Sequence, residues 1–168
     1  MRRSFIAGAT AVLVLSTSAT AMLGASRKPG LWEYKTRTTW QKAPSAPGRT
    51  PADLGGEHTR QVCLTEEMID QYGFLLPQSR GQCSIENKQV VPGRITADYV
   101  CNGRMTGKGA LTSEWSDPDH VTGTIHFAGT LLVGDETEAV EWTTESKAEF
   151  KSSDCGAVRP ATPPAGRR

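Results

Sequence analysis

Asp117, Asp119, His120 and His126 are the residues of this chain best suited to hold a metal ion or move a proton, because two carboxylates and two imidazoles fall within ten positions. His120 and His126 lie on one face of an alternating stretch but six residues apart. That is roughly 20 Å along an extended chain, too far to ligate one ion without a bend. Turn-forming aspartates and polar residues on a solvated face account for the same pattern. Glu141, Glu145 and Glu149 repeat along one strand face, as on a solvated surface that discourages aggregation. For nucleophilic catalysis there is no G-x-S-x-G, and His58 stands in a segment too irregular to orient it. A metal-dependent or hydrolytic enzyme using His120 and His126 is therefore the alternative reading.

The stretch CNGRMTGKG, residues 101–109, invites a phosphate-binding interpretation. A P-loop needs G-x-x-x-x-G-K followed by Ser or Thr and then a helix. Here Gly103 to Gly107 is one residue short and Gly109 stands where the hydroxyl should be. The following MTGKGALTSEW alternates with period two and continues as a strand. A three-residue hairpin loop, Cys101-Asn102-Gly103, would pair Val100 with Arg104 and set Tyr99 beside Met105 and Ala97 beside Gly107, so that apolar faces agree. A two-residue loop would place Lys108 among the apolar side chains.

The elements that must position these residues are mostly strands. Trp32, Tyr34, Thr36, Thr38 and Trp40 alternate with Glu33, Lys35, Arg37 and Thr39. Residues 43–58, rich in Pro, Gly and Ala, predict a long mobile loop. A short strand near Arg60–Cys63 precedes TEEMIDQYG, where Thr65 caps a short helix that ends at Gly73. Strands then follow over Ser84–Val91, Arg94–Val100, Met105–Trp115 and Val121–Leu131, with a last one around Val140–Phe150; Pro92-Gly93 and Asp117-Pro118 make turns. The tail RPATPPAGRR has too little apolar content to pack and is expected to be disordered.

The N-terminus bounds the compartment. Arg2 and Arg3 precede an apolar run over Phe5–Leu15 that is too short to span a bilayer, and Ala19-Thr20-Ala21 supplies a small-residue cleavage site. Residues 1–21 read as an export signal, with residue 25 as the alternative end. Arg2-Arg3-Ser4-Phe5-Ile6 also resembles a twin-arginine signal, although the general secretory route is the default. The full chain of 168 residues carries 19 basic and 18 acidic residues, and loss of the signal removes two arginines. Near-neutral charge argues against nucleic acid and anionic lipid as partners, and the mature chain holds no stable membrane span. The remaining length makes one β-rich domain, 28–156, with the mobile loop at 43–58 and a disordered tail at 157–168.

In an oxidising compartment Cys63, Cys83, Cys101 and Cys155 read as two disulfides with three connectivities. Cys63 with Cys83 and Cys101 with Cys155 is the favoured pairing, the first closing a local loop around the helix. Neither C-x-x-C nor zinc-knuckle spacing occurs, and no cofactor is expected.

Lys28-Pro29-Gly30-Leu31-Trp32-Glu33, Cys63-Leu64-Thr65-Glu66-Glu67, the lone Cys83, Cys101-Asn102-Gly103, Thr106-Gly107-Lys108-Gly109 and Cys155-Gly156, in that order, resemble the exported bacterial family catalogued as domain of unknown function 3617. The resemblance covers most of the mature chain, implies a small secreted or periplasmic β-rich domain, and lends no activity.

The fold class expected is mainly β: an antiparallel meander curling into a half or full barrel, with one short helix and two disulfides. Its inner face would carry Tyr99, Met105, Leu111, Trp115, Ile125, Phe127 and Trp142 together with Gly107, Gly109, Gly123 and Gly129. Such a face either packs solid or leaves room for an apolar molecule. The functional expectation is a noncatalytic binding or interaction module in the periplasm, whose partner is an apolar small molecule or an envelope protein.

Overall fold

The computed structural model describes residues 27–45, 50–72 and 82–161. The expected signal segment and the last residues of the tail lie outside this range. In chain order the elements are β1 (Gly30–Lys42), α1 (Pro51–Leu54), β2 (Gly56–Leu64), α2 (Glu66–Tyr72), β3 (Cys83–Val91), β4 (Arg94–Asn102), β5 (Met105–Glu114), β6 (His120–Val133) and β7 (Glu136–Ser152).

All seven strands join one antiparallel sheet in the order β2-β1-β7-β6-β5-β4-β3, which is not closed into a barrel. Strands β3 to β7 form the expected meander. The first strand then returns beside the last, with Tyr34 across from Ala148 and Arg37 across from Glu145. Period-two patterning produces the two faces: Tyr34, Ala97, Tyr99, Leu111, Ile125, Phe127, Val140, Trp142 and Ala148 are buried on one, and charged and threonine side chains cover the other.

The concave face holds two apolar clusters. One gathers Tyr99, Leu111, Ile125, Phe127, Val140 and Trp142, with Met105 partly buried against them. The second joins Trp32, Tyr34, Leu64, Val121 and Ala148 to Ile69 of α2, with Trp115 and Phe150 at its margin. Trp115 thus sits in a different cluster from the other aromatic residues with which sequence patterning groups it. The Arg27 guanidinium covers the Trp115 ring at 4.3 Å, and Lys28 Nζ lies 5.2 Å from the Phe150 ring while pairing with Asp119 at 2.7 Å. The residues preceding β1 therefore close this end of the core.

Four expectations are corrected. The disulfides are Cys63–Cys155 and Cys83–Cys101, not Cys63 with Cys83 and Cys101 with Cys155. The Pro92-Gly93 hairpin carries Cys83 directly opposite Cys101, helped by a bulge at Asn87 and Lys88 that shifts the β3 ladder. Asn87 adopts φ 50° there and donates to Asp98. Cys63 meets Cys155 because β1 lies between β2 and β7, with Leu31 aligned to both Cys63 and Ser152.

The β4–β5 register also differs. Asn102 pairs with Thr106, so the loop is Gly103-Arg104-Met105, and Tyr99 faces Gly109 where Met105 was expected. Parity is unchanged, so the same side chains face inward; two extra pairs come from Cys101 and Asn102 joining the ladder, while Gly103 N–H donates to Met105 O.

Of the expected loop 43–58, residues 46–49 lie outside the described residues, and 50–58 are more ordered than their composition suggests. Thr50 and Asp53 exchange side-chain and backbone hydrogen bonds as a capping box, which starts α1 with Pro51 at its first position. Strand β2 begins at Gly56, so His58 is a strand residue opposite Thr36. Finally, the tail does not leave the domain at 157. Pro160 bridges Cys63, and Ala161 N–H donates to Cys63 O at 2.8 Å, held close by the Cys63–Cys155 link. The expected cap of α2 is present, with Thr65 Oγ1 accepting from Met68 N–H at 3.2 Å, while the expected end at Gly73 lies outside the described residues.

Candidate functional site

The two histidines are not brought together. His120 Nδ1 lies 3.0 Å from Asp117 Oδ1, while His126 Nε2 lies 3.4 Å from Glu141 Oε1, each histidine beside its own acid on the exposed face. Asp117 also accepts backbone N–H bonds from Asp119 and His120, and the first of these is the chief reason its carboxyl is held below the usual carboxylate range. This is a turn built on an aspartate. Among the described residues no group of three or more His, Cys, Asp and Glu is arranged to hold a metal ion.

On the concave face the rings occupy the room that the glycines leave. Phe127, 0 % exposed, stacks on Trp142 with centroids 5.3 Å apart, and Tyr99 meets both rings edge-on at 5.9 and 6.1 Å. Side chains at Gly107 or Gly129 would come within 2.9 Å of Phe127 Cζ. Backbone of the facing strand blocks a side chain there more closely still, Ala128 O at Gly107 and Thr106 O at Gly129, so both positions demand glycine.

The opposite, solvent-facing side carries a feature that sequence reasoning did not find. A groove of about 620 Å³ runs over β1, β7 and β6, with walls of Lys35, Arg37, Glu57, Thr122, Thr124, Glu145 and Lys147. A hollow of about 260 Å³ adjoins it, lined in part by Glu33, His120 and Glu149, and shares Lys35, Thr122 and Lys147 with it. The register explains the layout. Glu33 faces Glu149, Lys35 faces Lys147, and Arg37 stands between Glu57 and Glu145. Thr122 and Thr124 continue the last two rows onto β6.

The acidic row is neutralised from within the fold. Lys151 Nζ reaches Glu149 at 2.9 Å and Glu33 at 3.5 Å. Its hydrogen bond to Glu149 is the main cause that lowers the Glu149 carboxyl and raises the Lys151 amine. The lysine row has no counterpart: among the described residues Lys35, Lys147 and Arg37 form no ion pair. Like charges directly across a strand pair are unfavourable. An anion held between the two ammonium groups would relieve that repulsion.

The order of motifs along strands β1 to β7, now placed in three dimensions, fits one family, described as a protein of unknown function (DUF3617), which matches residues 27–155. The chain belongs to DUF3617. No curated protein and no solved structure matches it. The matched span of this DUF3617 chain takes in all four cysteines and every groove residue. Two disulfides place its folding in an oxidising, exported environment. Among its described residues no helix is long and apolar enough to cross a membrane.

Proposed function

We propose that this DUF3617 protein is a periplasmic, noncatalytic binding domain whose ligand lies in the groove over β1, β7 and β6. The observation that carries the reading is the groove itself: charged and hydroxyl side chains from β1, β7 and β6, with Glu57 of β2, line one open hollow and are not used in building the core. The apolar residues of the concave face, by contrast, contact one another, which favours the outer face as the binding surface.

Protein purified natively from the cell envelope is expected to begin at Met22 or Ser26 and to retain a small molecule detectable by extraction and mass spectrometry. Thr124→Trp, which fills the groove wall on an exposed position, is expected to lose that molecule without lowering Tm. An empty wild type, or retention unchanged in Thr124→Trp, would overturn the reading; an intact Met1 recovered in a membrane fraction would overturn the export.

A further inference from the structure

We infer that the junction of the two hollows is an oxyanion site of the phosphate class, formed by the ammonium groups of Lys35 and Lys147 with the Thr122 hydroxyl beside them. The inference rests on the groove reading and names the chemistry of its ligand. Lys35, Thr122 and Lys147 line both hollows, so an extended ligand crossing from one to the other must pass these three residues. Lys35 and Lys147 are aligned across β1 and β7, and Thr122 follows on β6, which sets two cations and a hydroxyl donor in one row.

The acids around this row, Glu33, Glu149, Glu57 and Glu145, balance Lys151, Arg37 and the two lysines in formal charge, yet among the described residues none of them forms an ion pair with Lys35 or Lys147. The acids on one side, Glu33 and Glu149, are held by Lys151. On the other side Arg37 stands between Glu57 and Glu145, one cation between two acids, so that row supplies no excess positive charge. The contrast between the rows is the decisive feature: facing glutamates are bridged by Lys151, whereas among the described residues no acid of the chain pairs with the facing lysines. A phosphate group accepts several charge-assisted hydrogen bonds at once and suits two ammonium groups held on neighbouring strands. The carboxylates and threonines farther along both hollows are acceptors and donors for hydroxyl groups attached to that phosphate.

The test is a titration of the purified protein at low ionic strength, followed by amide chemical shifts, with inorganic phosphate, glucose 6-phosphate and glucose in separate arms. Saturable shifts at Lys35, Thr122 and Lys147 with either phosphate, and none with glucose, are expected; tighter binding of the sugar phosphate would identify the source as an ester and equal binding a free anion. Lys35→Gln and Lys147→Gln are each expected to weaken binding about tenfold or more, as loss of one charged contact does. Lys108→Gln, on the same face of β5, is expected to change nothing. Absence of saturable shifts at the three amides, or undiminished affinity in Lys147→Gln, would overturn the oxyanion site. If phosphate fails while Thr124→Trp still expels a native ligand, the groove reading stands and only its assigned chemistry falls.

Discussion

Ser113 sits on the concave face opposite Ile95 and Gly123, 1 % exposed, and its hydroxyl has no hydrogen-bond partner among the described residues. Its neighbour across β6, Ser146, solves the same problem by donating to Gly123 O at 3.0 Å. A buried hydroxyl without a partner costs about 1–3 kcal/mol of desolvation. Ser113→Ala is therefore expected to raise stability by about 1 kcal/mol in chemical denaturation. A loss of stability instead would show that a bound water holds the hydroxyl. Asp117 offers a second check at this scale. Its carboxyl is lowered in the folded protein, chiefly by the Asp119 N–H, so its contribution is present above the ordinary carboxylate range and lost as pH falls through the lowered value. Side-chain titration by NMR should place Asp117 below a free aspartate, and Asp117→Asn should abolish that acid-dependent part of stability. An ordinary titration midpoint would remove the turn's electrostatic role.

The strands depend on close approach as well as on alternation. On β5, a Cβ at Gly109 would press into His126 O and lie 3.1 Å from Phe127 Cα, with backbone rather than a flexible side chain as the obstacle. Gly109→Val is expected to destabilise the protein by about 1–3 kcal/mol, the range for overpacking, read as a lower denaturant midpoint at unchanged slope. An unchanged midpoint would mean that β5 and β6 separate easily, against the continuous ladder from Met105–Leu131 to Glu114–Thr122. The same element scale shows what was readable in the chain. Which residues of β4, β5 and β6 point inward followed from period two and survived a register error, because that error moved the pairing by an even number of residues. The capping box at Thr50 was also present in the sequence, hidden by the proline-rich composition around it.

Across the whole molecule the two disulfides close loops of very different length. Cys63–Cys155 spans 92 residues and Cys83–Cys101 spans 18. Loop-entropy arguments assign about 4.5 kcal/mol to the longer and about 3 kcal/mol to the shorter. Replacing Cys63 and Cys155 together by Ala should therefore lower stability more than replacing Cys83 and Cys101, and should also free Pro160 and Ala161 from β2. Peptide mapping of the unreduced protein should recover Cys63 joined to Cys155; a Cys63 to Cys83 peptide would contradict the strand order. The disulfides sit at different places: one ties the β2 edge to the segment that follows β7, and the other crosses the β3–β4 ladder.

The amino-acid sequence alone determined the strand class, the short helix after Thr65, the inward and outward faces, and membership in DUF3617. Each depends on local chemistry: side-chain alternation, capping groups and turn residues act over a few positions and leave their mark in adjacent letters. The tertiary structure decided the Cys63–Cys155 link and the groove, because both depend on β1 returning beside β7, while Cys83–Cys101 depends on the bulge that sets the β3–β4 register. Lys35 and Lys147 are more than a hundred positions apart and become neighbours only through that pairing. Nothing in either strand's own pattern specifies its neighbour, since several partners of matching parity would bury the same apolar face.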